Sequence, residues 1–170
     1  GGVIYELLED VAAGNGLAAL PAPCSADMFL DLESNPYVLD QGLEYLFGIV
    51  TTPTDATSMP TYETFWSATR AEEKEAFQKF IANVMERWRR NPEMHIYHYA
   101  PYEPTALTRL VGRHVACVDE VAELLKSGVF VNLYPSVLPG TRPAVDSYTI
   151  HNRETPTSFT QPLTPHDPSP

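Results

Sequence analysis

The sequence predicts an α/β fold, a mixed β-sheet with helices packed against it. Three segments with the alternating polarity of strands precede the first long helix, which indicates an antiparallel meander. Beyond that helix, strand and helix patterns alternate, as they do in layered α/β domains, and the later strands are therefore predicted to be parallel. The predicted order is strand, strand, strand, helix, strand, helix, helix, strand, in a chain of 170 residues that is the size of one domain.

The first predicted strand has the clearest alternation. In MFLDLE (residues 28–33) every second residue is apolar, so the intervening positions, Asp31 and Glu33 among them, face the other side. A Ser-Asn-Pro turn at 34–36 stops this strand. Further strands are predicted at 45–51, 62–68, 94–99 and 129–134.

Three helices are predicted from caps and periodicity. The first starts at a capping box formed by Thr69 and Glu72 and stops at Asn91-Pro92. The second has Pro104 as its first residue, and the third covers 118–126 and ends at Gly128. The predicted buried residues of these helices are Phe77, Phe80, Ile81, Val84, Met85, Trp88, Leu107, Leu110, Val111, Val118, Val121, Ala122 and Leu125.

The chain divides into three predicted regions. Residues 1–25 contain Gly- and Pro-rich turns and are predicted to be an N-terminal arm or linker, and residues 26–154 form the folded domain. Residues 155–170 hold five prolines without a hydrophobic period, which predicts a disordered Pro/Thr-rich tail.

Composition restricts the function classes. A net charge of −11 opposes a stand-alone nucleic-acid binder, because neutralising phosphates supplies most non-specific affinity. Clustered carboxylates that hold divalent cations would still allow contact with phosphate. No apolar run approaches the roughly 18 residues of a membrane span, and two cysteines without a CxxC motif predict a reduced, cytoplasmic protein with no membrane partner.

Three acids are the candidate catalytic and metal-binding residues. Asp31 and Glu33 are two positions apart on a strand and share one face, where they could bridge one or two divalent cations. Glu103 follows a strand and lies at or beside the start of a helix, where backbone amides and the helix dipole favour its ionised form. The alternatives are ordinary solvent-facing acids on the strand and a plain N-terminal helix acid.

Three nearby polar residues are weaker candidates. His95 and His98 are three apart on a predicted strand and face opposite sides, which makes a zinc site a poor interpretation. Asn132 could face a cleft and bind a metal-bound water, but a structural role is the better prediction for an amide.

Taken together, four segments resemble a known family. They are DMFLDLESNPYVLDQGLEYLFGIVT, FWSATRAEEKEAFQKFI, MHIYHYAPYEPTALTRLVGRH and VNLYPSV followed by VDSYTI, and they occur in this order. They are similar to the RNase H-like (DEDD-type, YprB-like) exonuclease domain of bacterial RecB-like nuclease proteins, which are often fused to a superfamily 1 helicase. The similarity covers roughly residues 3–150.

The resemblance implies an RNase H-like fold and a 3′-to-5′ exonuclease that uses two divalent metals, Mg²⁺ or Mn²⁺. Asp31 and Glu33 are similar to the first-motif acids, and Glu103 looks like the acid of the second motif. In the implied mechanism the metals bind on both sides of the scissile phosphate. The implied partners are DNA or RNA as substrate and the helicase and RecB-like domains of the same full-length protein.

The sequence also departs from that family. Ser34-Asn35-Pro36 replaces Gly-Asp-Pro, and Asn132 replaces the Asp of a VDLY pattern. After Ile150 the family continues into helices that supply the last aspartate with a His or Tyr nearby, whereas here the Pro/Thr tail follows, which predicts a truncated C-terminal part. Asp167 lies in that tail without motif context.

Two functions follow for the chain. The first is a metal-dependent nuclease domain, with three of its four metal acids present. The alternative is a catalytically inactive RNase H-like module that positions nucleic acid or a partner domain. The missing acid, Asn132 and the net charge favour the alternative, so whether the chain is an enzyme is left open by the sequence. A non-nuclease metal hydrolase on the same scaffold is a third reading, since fold alone does not fix chemistry.

Overall fold

A computed structural model describes residues 5–7, 16–53 and 59–143. Its contacts divide the chain into one compact unit at 20–134 and another that combines 1–19 with 135–170. The strands are β1 (Tyr5–Leu7), β2 (Met28–Asn35), β3 (Leu43–Thr51), β4 (Thr61–Trp66), β5 (Ile96–His98), β6 (Phe130–Asn132) and β7 (Thr141–Pro143). The helices are α1 (Arg70–Arg90), α2 (Tyr102–His114), α3 (Val118–Ser127) and α4 (Tyr134–Gly140), with a 3-10 turn at Gly16–Ala19.

The unit at 20–134 contains a five-stranded mixed sheet in the order β4-β3-β2-β5-β6. Strands β2, β3 and β4 pair antiparallel as a meander, whereas β5 joins β2 in parallel and β6 joins β5 in parallel. The α/β class, the meander and the later parallel strands predicted from the sequence are therefore confirmed.

The core lies between one face of this sheet and the helices α1, α2 and α3. Met28, Leu30 and Leu32 on β2 are buried, as their alternation predicts, and they pack with Phe47 and Ile49 on β3. The helices contribute Ala76, Phe77, Phe80, Ile81, Val84, Met85, Ala106, Leu107, Leu110, Val121 and Leu124. Phe29, Asp31 and Glu33 alternate to the opposite face, which we call the acid face of the sheet.

Helix α1 follows its sequence signals closely. The Thr69 hydroxyl accepts a hydrogen bond from the Glu72 amide at 3.2 Å, and the Glu72 carboxylate accepts one from the Ala68 amide at 2.7 Å. At the other end, the Asn91 amide donates to the carbonyl groups of Arg87 and Trp88. The capping residues therefore fix both ends of the longest element.

Several predicted details are wrong. Helix α2 begins at Tyr102, two residues before Pro104. Proline is tolerated at this later position because amides in the first turn of a helix have no partner within the helix, so their loss breaks no bond. On α3, Val121 and Leu124 are buried while Val118 and Leu125 are exposed, so the buried stripe is rotated from the predicted one. The strand predicted at 94–99 is limited to Ile96–His98, and the chain predicted as strand to residue 134 turns into α4 after Asn132.

Asp27, directly before β2, is hydrogen-bonded to His95, directly before β5. Its carboxylate accepts hydrogen bonds from the His95 amide at 2.7 Å and from the Cys24 amide at 2.8 Å, and His95 Nδ1 lies 3.1 Å away. Asp27 is 4% exposed. A buried carboxylate with this many donors holds the two parallel strands together at one end.

The other unit contains a two-stranded antiparallel sheet in which β1 pairs with β7. The sequence did not predict these strands within its arm and C-terminal segment. The predicted disorder of 155–170, the VDSYTI segment and Asp167 lie outside the described residues. In the described part of the chain, no helix combines the length and the apolar character needed to cross a membrane.

Candidate nuclease site

Asp31 and Glu33 lie on the acid face of β2, opposite the helices. Asp31 is exposed and Glu33 is half-buried. Asp31 is paired across the sheet with Gly48 of β3. A Cβ at Gly48 would stand 3.2 Å from the Tyr62 hydroxyl, so the missing side chain leaves room for this phenol beside Asp31.

A β-bulge adds a second phenol to the acid face. The register between β2 and β3 shifts between Glu33, which faces Leu46, and Ser34, which faces Glu44, and this leaves Tyr45 as the extra residue. Tyr45 thereby leaves the alternation that buries Phe47, and its hydroxyl lies 3.5 Å from Glu33 Oε2.

Both phenols lie in the field of the acids. Burial raises the pKa of Tyr45 above its ordinary value, and the charges of Glu33 and Asp31 raise it further. Burial likewise raises the pKa of Tyr62, together with the charges of Asp31 and Glu33. Because a nearby anion disfavours a phenolate, both tyrosines stay neutral donors at physiological pH.

Exposed aromatic side chains surround the acids. Trp66 is 56% exposed and stacks on Tyr45 with ring centroids 6.2 Å apart. Phe29 is 39% exposed and stacks on Tyr97 at 5.2 Å. Large exposed aromatic surface beside a polar site is the kind of surface on which nucleobases stack.

Glu103 is the second residue of α2 and is held away from solvent. Its carboxylate lies 3.2 Å from His98 Nδ1, and that nitrogen also lies 2.7 Å from the Ala100 carbonyl oxygen. Both neighbours are acceptors, so Nδ1 carries a hydrogen and donates it. Glu103 is 3% exposed, so its carboxylate is enclosed by the protein.

The turn that carries Glu103 is fixed by Asn132 at the end of β6. The Asn132 side-chain oxygen accepts hydrogen bonds from the Ala100 amide at 3.0 Å and from the Tyr134 amide at 2.9 Å. Ala100 has a positive φ of 68°, which a β-carbon disfavours. Asn132 therefore supports the backbone, in line with the structural role predicted for it.

The three predicted acids are not brought into one metal-binding group. Continuing the parallel register from Phe29 and Tyr97 places His98 beside Leu30, on the helix-covered face. Glu103 contacts His98 there, whereas Asp31 and Glu33 point to the acid face. Within the described residues, no group of three or more His, Cys, Asp or Glu side chains could hold one metal ion.

The chemistry of the acid pair nevertheless fits a hard divalent cation. Asp31 and Glu33 offer carboxylate oxygens on an accessible face, and Mg²⁺ is commonly held by one or two carboxylates together with waters and substrate phosphates. Glu103 fits this role less directly, because its carboxylate is already bound by His98. His95 and His98 reach different partners, Asp27 and Glu103, and form no zinc pair.

A family model described as RNase H superfamily matches residues 28–155. The chain belongs to the RNase H superfamily. The match covers the meander, the three helices of the core and the strands that carry or adjoin Asp31, Glu33 and Glu103. No curated protein and no solved structure gives a significant match to the chain.

This RNase H-superfamily domain also contains a network of charged and polar side chains around two buried carboxylates, formed by Glu44, Glu73, Arg70, Arg109, Arg113 and His114. Arg113 Nη1 lies 2.7 Å from Glu44 Oε2 and 2.8 Å from Glu73 Oε1, and Arg109 pairs with the other oxygen of Glu44. His114 Nε2 lies 2.8 Å from Glu73 Oε2. The network joins β3, α1 and α2 beneath the end of β2.

Sequence reasoning missed this network and the phenols. Glu44 and Glu73 are buried carboxylates whose partners Arg109 and Arg113 are 40 to 69 residues away, and the Arg70–Glu73 pair alone is local. The local pair gives no sign of the distant ones. Tyr45 is displaced by a bulge that strand periodicity does not predict. The available sequence signal was the position of Tyr102 directly before the candidate acid Glu103. In the structure Tyr102 contacts both Ser34 and Glu44 and so links this acid to the network.

Proposed function

We propose that the chain is a metal-dependent nuclease domain that cleaves phosphodiester bonds in DNA or RNA. The observation that carries the proposal is the accessible Asp31–Glu33 carboxylate pair, flanked by exposed aromatic rings, on the sheet of an RNase H-superfamily domain. Divalent cations bound there would supply Lewis-acid stabilisation of the charge that develops on the phosphate.

The residues of the chain have separate tasks in this proposal. Asp31 and Glu33 hold Mg²⁺ or Mn²⁺, and Glu103 supplies the carboxylate of the second motif. The Tyr45 hydroxyl orients Glu33. Phe29 and Trp66 offer faces on which bases stack, a contact that does not depend on sequence.

The finer form of the proposal is a DEDD-type 3′-to-5′ exonuclease with two divalent metals. It acts within a larger RecB-like protein, beside a superfamily 1 helicase. The resemblance of the four sequence segments supports this form. Cys24 and Cys117 form no disulfide, which is compatible with a nuclease that acts in the reducing cytoplasm.

A second function is favoured by the position of Glu103. Its carboxylate is buried and bound by His98, on the face of the sheet away from the acid pair. A domain in which this arrangement persists would serve as an inactive module that positions nucleic acid or a partner domain. The net charge of −11 also favours this reading.

Mn²⁺ titration by calorimetry, combined with cleavage of 5′-labelled single-stranded DNA and RNA, separates the two functions. The nuclease proposal expects Mn²⁺ binding that is lost in Asp31→Asn and Glu33→Gln and weakened in Glu103→Gln, with products that shorten from the 3′ end. The matched control is Glu63→Gln on β4, whose carboxylate is bound by Asn83 of α1 on the helix side.

The outcomes assign one function or the other. If a folded parent chain binds no Mn²⁺ and cleaves neither substrate, the inactive module replaces the nuclease. If Asp31→Asn and Glu33→Gln abolish binding while Glu103→Gln has no effect, the metal site consists of the acid pair alone and the role of Glu103 is wrong.

A further inference from the structure

The residue before Glu103 and the residue after Glu33 are hydrogen-bonded to each other. The Tyr102 hydroxyl donates to Ser34 Oγ at 2.6 Å, although the two residues are 68 positions apart. Ser34 is the first residue after the bulge on β2, and Tyr102 is the first residue of α2. One side-chain contact therefore joins the two segments that carry the candidate acids.

The direction of this hydrogen bond is set by its surroundings. Arg109 Nη2 lies 3.3 Å from the Tyr102 oxygen and can only donate, so it occupies an acceptor position of the hydroxyl. Glu44 Oε1 is also within reach of the hydroxyl, at 3.4 Å, but Ser34 is much closer. The single phenolic proton is therefore directed at Ser34.

The ring of Tyr102 is held as firmly as its hydroxyl. It packs against the hydrophobic core, and the Arg109 guanidinium lies 5.8 Å from the ring centroid. Arg109 is fixed in turn by its ion pair with Glu44, which is 1% exposed and faces Ser34 in the sheet register. A side chain fixed at both ends transmits position between the segments that it joins.

We propose that Tyr102 and Ser34 are positioning residues that hold Glu33, beside Ser34 near the end of β2, in place against the start of α2. This inference rests on the nuclease function proposed above, because it concerns how that site is assembled. Neither hydroxyl needs to contact the metal or the substrate. The bond fixes the end of β2, where Glu33 directly precedes Ser34, against the start of α2, where Glu103 directly follows Tyr102.

The test uses Tyr102→Phe and Ser34→Ala, each of which removes one hydroxyl group, and the double variant. The control is Thr108→Val on the same helix, which removes an exposed hydroxyl bonded to the Pro104 carbonyl. Mn²⁺ affinity is measured by calorimetry, and the metal-free melting temperature is measured in parallel. Each single variant is expected to bind Mn²⁺ about tenfold more weakly, as is typical when support of a metal ligand is removed.

The double variant is expected to bind no more than about twofold more weakly than either single variant, since both changes break the same bond. Parent-like affinity in both single variants would overturn the positioning role and leave the nuclease function standing. The same conclusion holds if the affinity losses only follow falls in melting temperature. Absence of Mn²⁺ binding by the parent and by Thr108→Val would overturn the function and the positioning role together.

Discussion

The Arg113 guanidinium and the Glu73 carboxylate are 2.8 Å apart, with exposed side-chain fractions of 7% and 0%. The same nitrogen of Arg113 also contacts Glu44, which is equally buried, so one cation on α2 serves carboxylates on two other elements. Taking these charges out of water is costly unless each keeps its partners. The packing of α2 against α1 and β3 therefore depends on charge as well as on apolar contact.

Arg113→Met is expected to lower the free energy of unfolding by about 3–5 kcal/mol, because two buried carboxylates lose their shared cation. The measurement is urea denaturation at pH 7. The matched control is Arg90→Met, whose partner Glu86 is also on α1 but at an exposed site, and its expected cost is below about 1 kcal/mol. Equal costs for the two variants would contradict a stabilising buried pair.

The stability of the fold is expected to fall in acid because of Glu73. Burial opposes its ionisation, but the Glu44 amide, Arg70 and Arg113 outweigh burial and lower the pKa of Glu73 below 4.5. Since the folded pKa is depressed, this stabilisation is complete above pH 4.5 and is lost as the pH falls through the folded pKa.

Melting temperatures of the parent chain and of Glu73→Gln, recorded from neutral pH into this acidic range, test that expectation. The variant should be less stable at neutral pH, and its melting temperature should fall less steeply in acid. The groups that face Glu73 are Arg70, Glu44, Arg113 and His114. Two parallel curves would assign the acid sensitivity to other groups.

Val115 is expected to be a site of avoidable strain. It ends α2 with a positive φ of 48° and is 81% exposed. A left-handed conformation costs a β-branched residue about 1–2 kcal/mol, and asparagine tolerates it better. Val115→Asn should therefore raise the free energy of unfolding by about 1 kcal/mol. Val118→Asn, at an exposed helical position, is the control and should bring no gain.

Asn132 is expected to tolerate replacement by aspartate but not by alanine. Its side-chain oxygen accepts from two backbone amides, and an aspartate oxygen can accept the same bonds. Asn132→Asp should keep the free energy of unfolding within about 1 kcal/mol, whereas Asn132→Ala should lose about 1–3 kcal/mol. Urea denaturation distinguishes them, and a gain in Mn²⁺ affinity in Asn132→Asp would contradict the structural assignment.

The elements that the sequence predicted well are those with a local period or a local cap. Alternation along β2 placed Asp31 and Glu33 on one face, and the Thr69–Glu72 spacing located the start of α1. The position of Tyr45 was not predictable in this way, because a bulge breaks the period of its strand. On α3 periodicity placed Val121 correctly but chose Leu125 in place of Leu124, because ten residues are too few to distinguish adjacent apolar positions.

The arrangement of the candidate site required long-range information. Sequence located Glu103 at a helix start but gave no sign that His98, five residues before it, would bind its carboxylate. The Tyr102–Ser34 bond and the Arg113–Glu73 pair depend on how α2 lies across the sheet. Pairwise chemistry between distant residues is set by topology, and no local pattern encodes it.

The parallel seam between β2 and β5 has a consequence for the order in which the fold assembles. Only two residue pairs form this ladder, Met28 with Ile96 and Phe29 with Tyr97. The Asp27–His95 bond at the start of this ladder and the Tyr102–Ser34 bond beyond it each span 68 residues, whereas the meander joins strands that are close in sequence. Closing a long loop loses more chain entropy than closing a short one, and this loss precedes the stabilising contacts. The seam is therefore expected to close after the meander.

The seam is correspondingly expected to be the first part of the sheet to open in the native state. In native-state hydrogen exchange, the Met28 amide, which donates to the His95 carbonyl, should exchange before the amides of β3. Slower exchange at Met28 than in β3 would reverse the order. The Asp31–Glu33 pair forms with the meander, whereas Glu103 lies on α2, which follows β5. The approach of Glu103 to the acid pair is therefore expected to be among the later events of folding and among the first features lost when the seam opens.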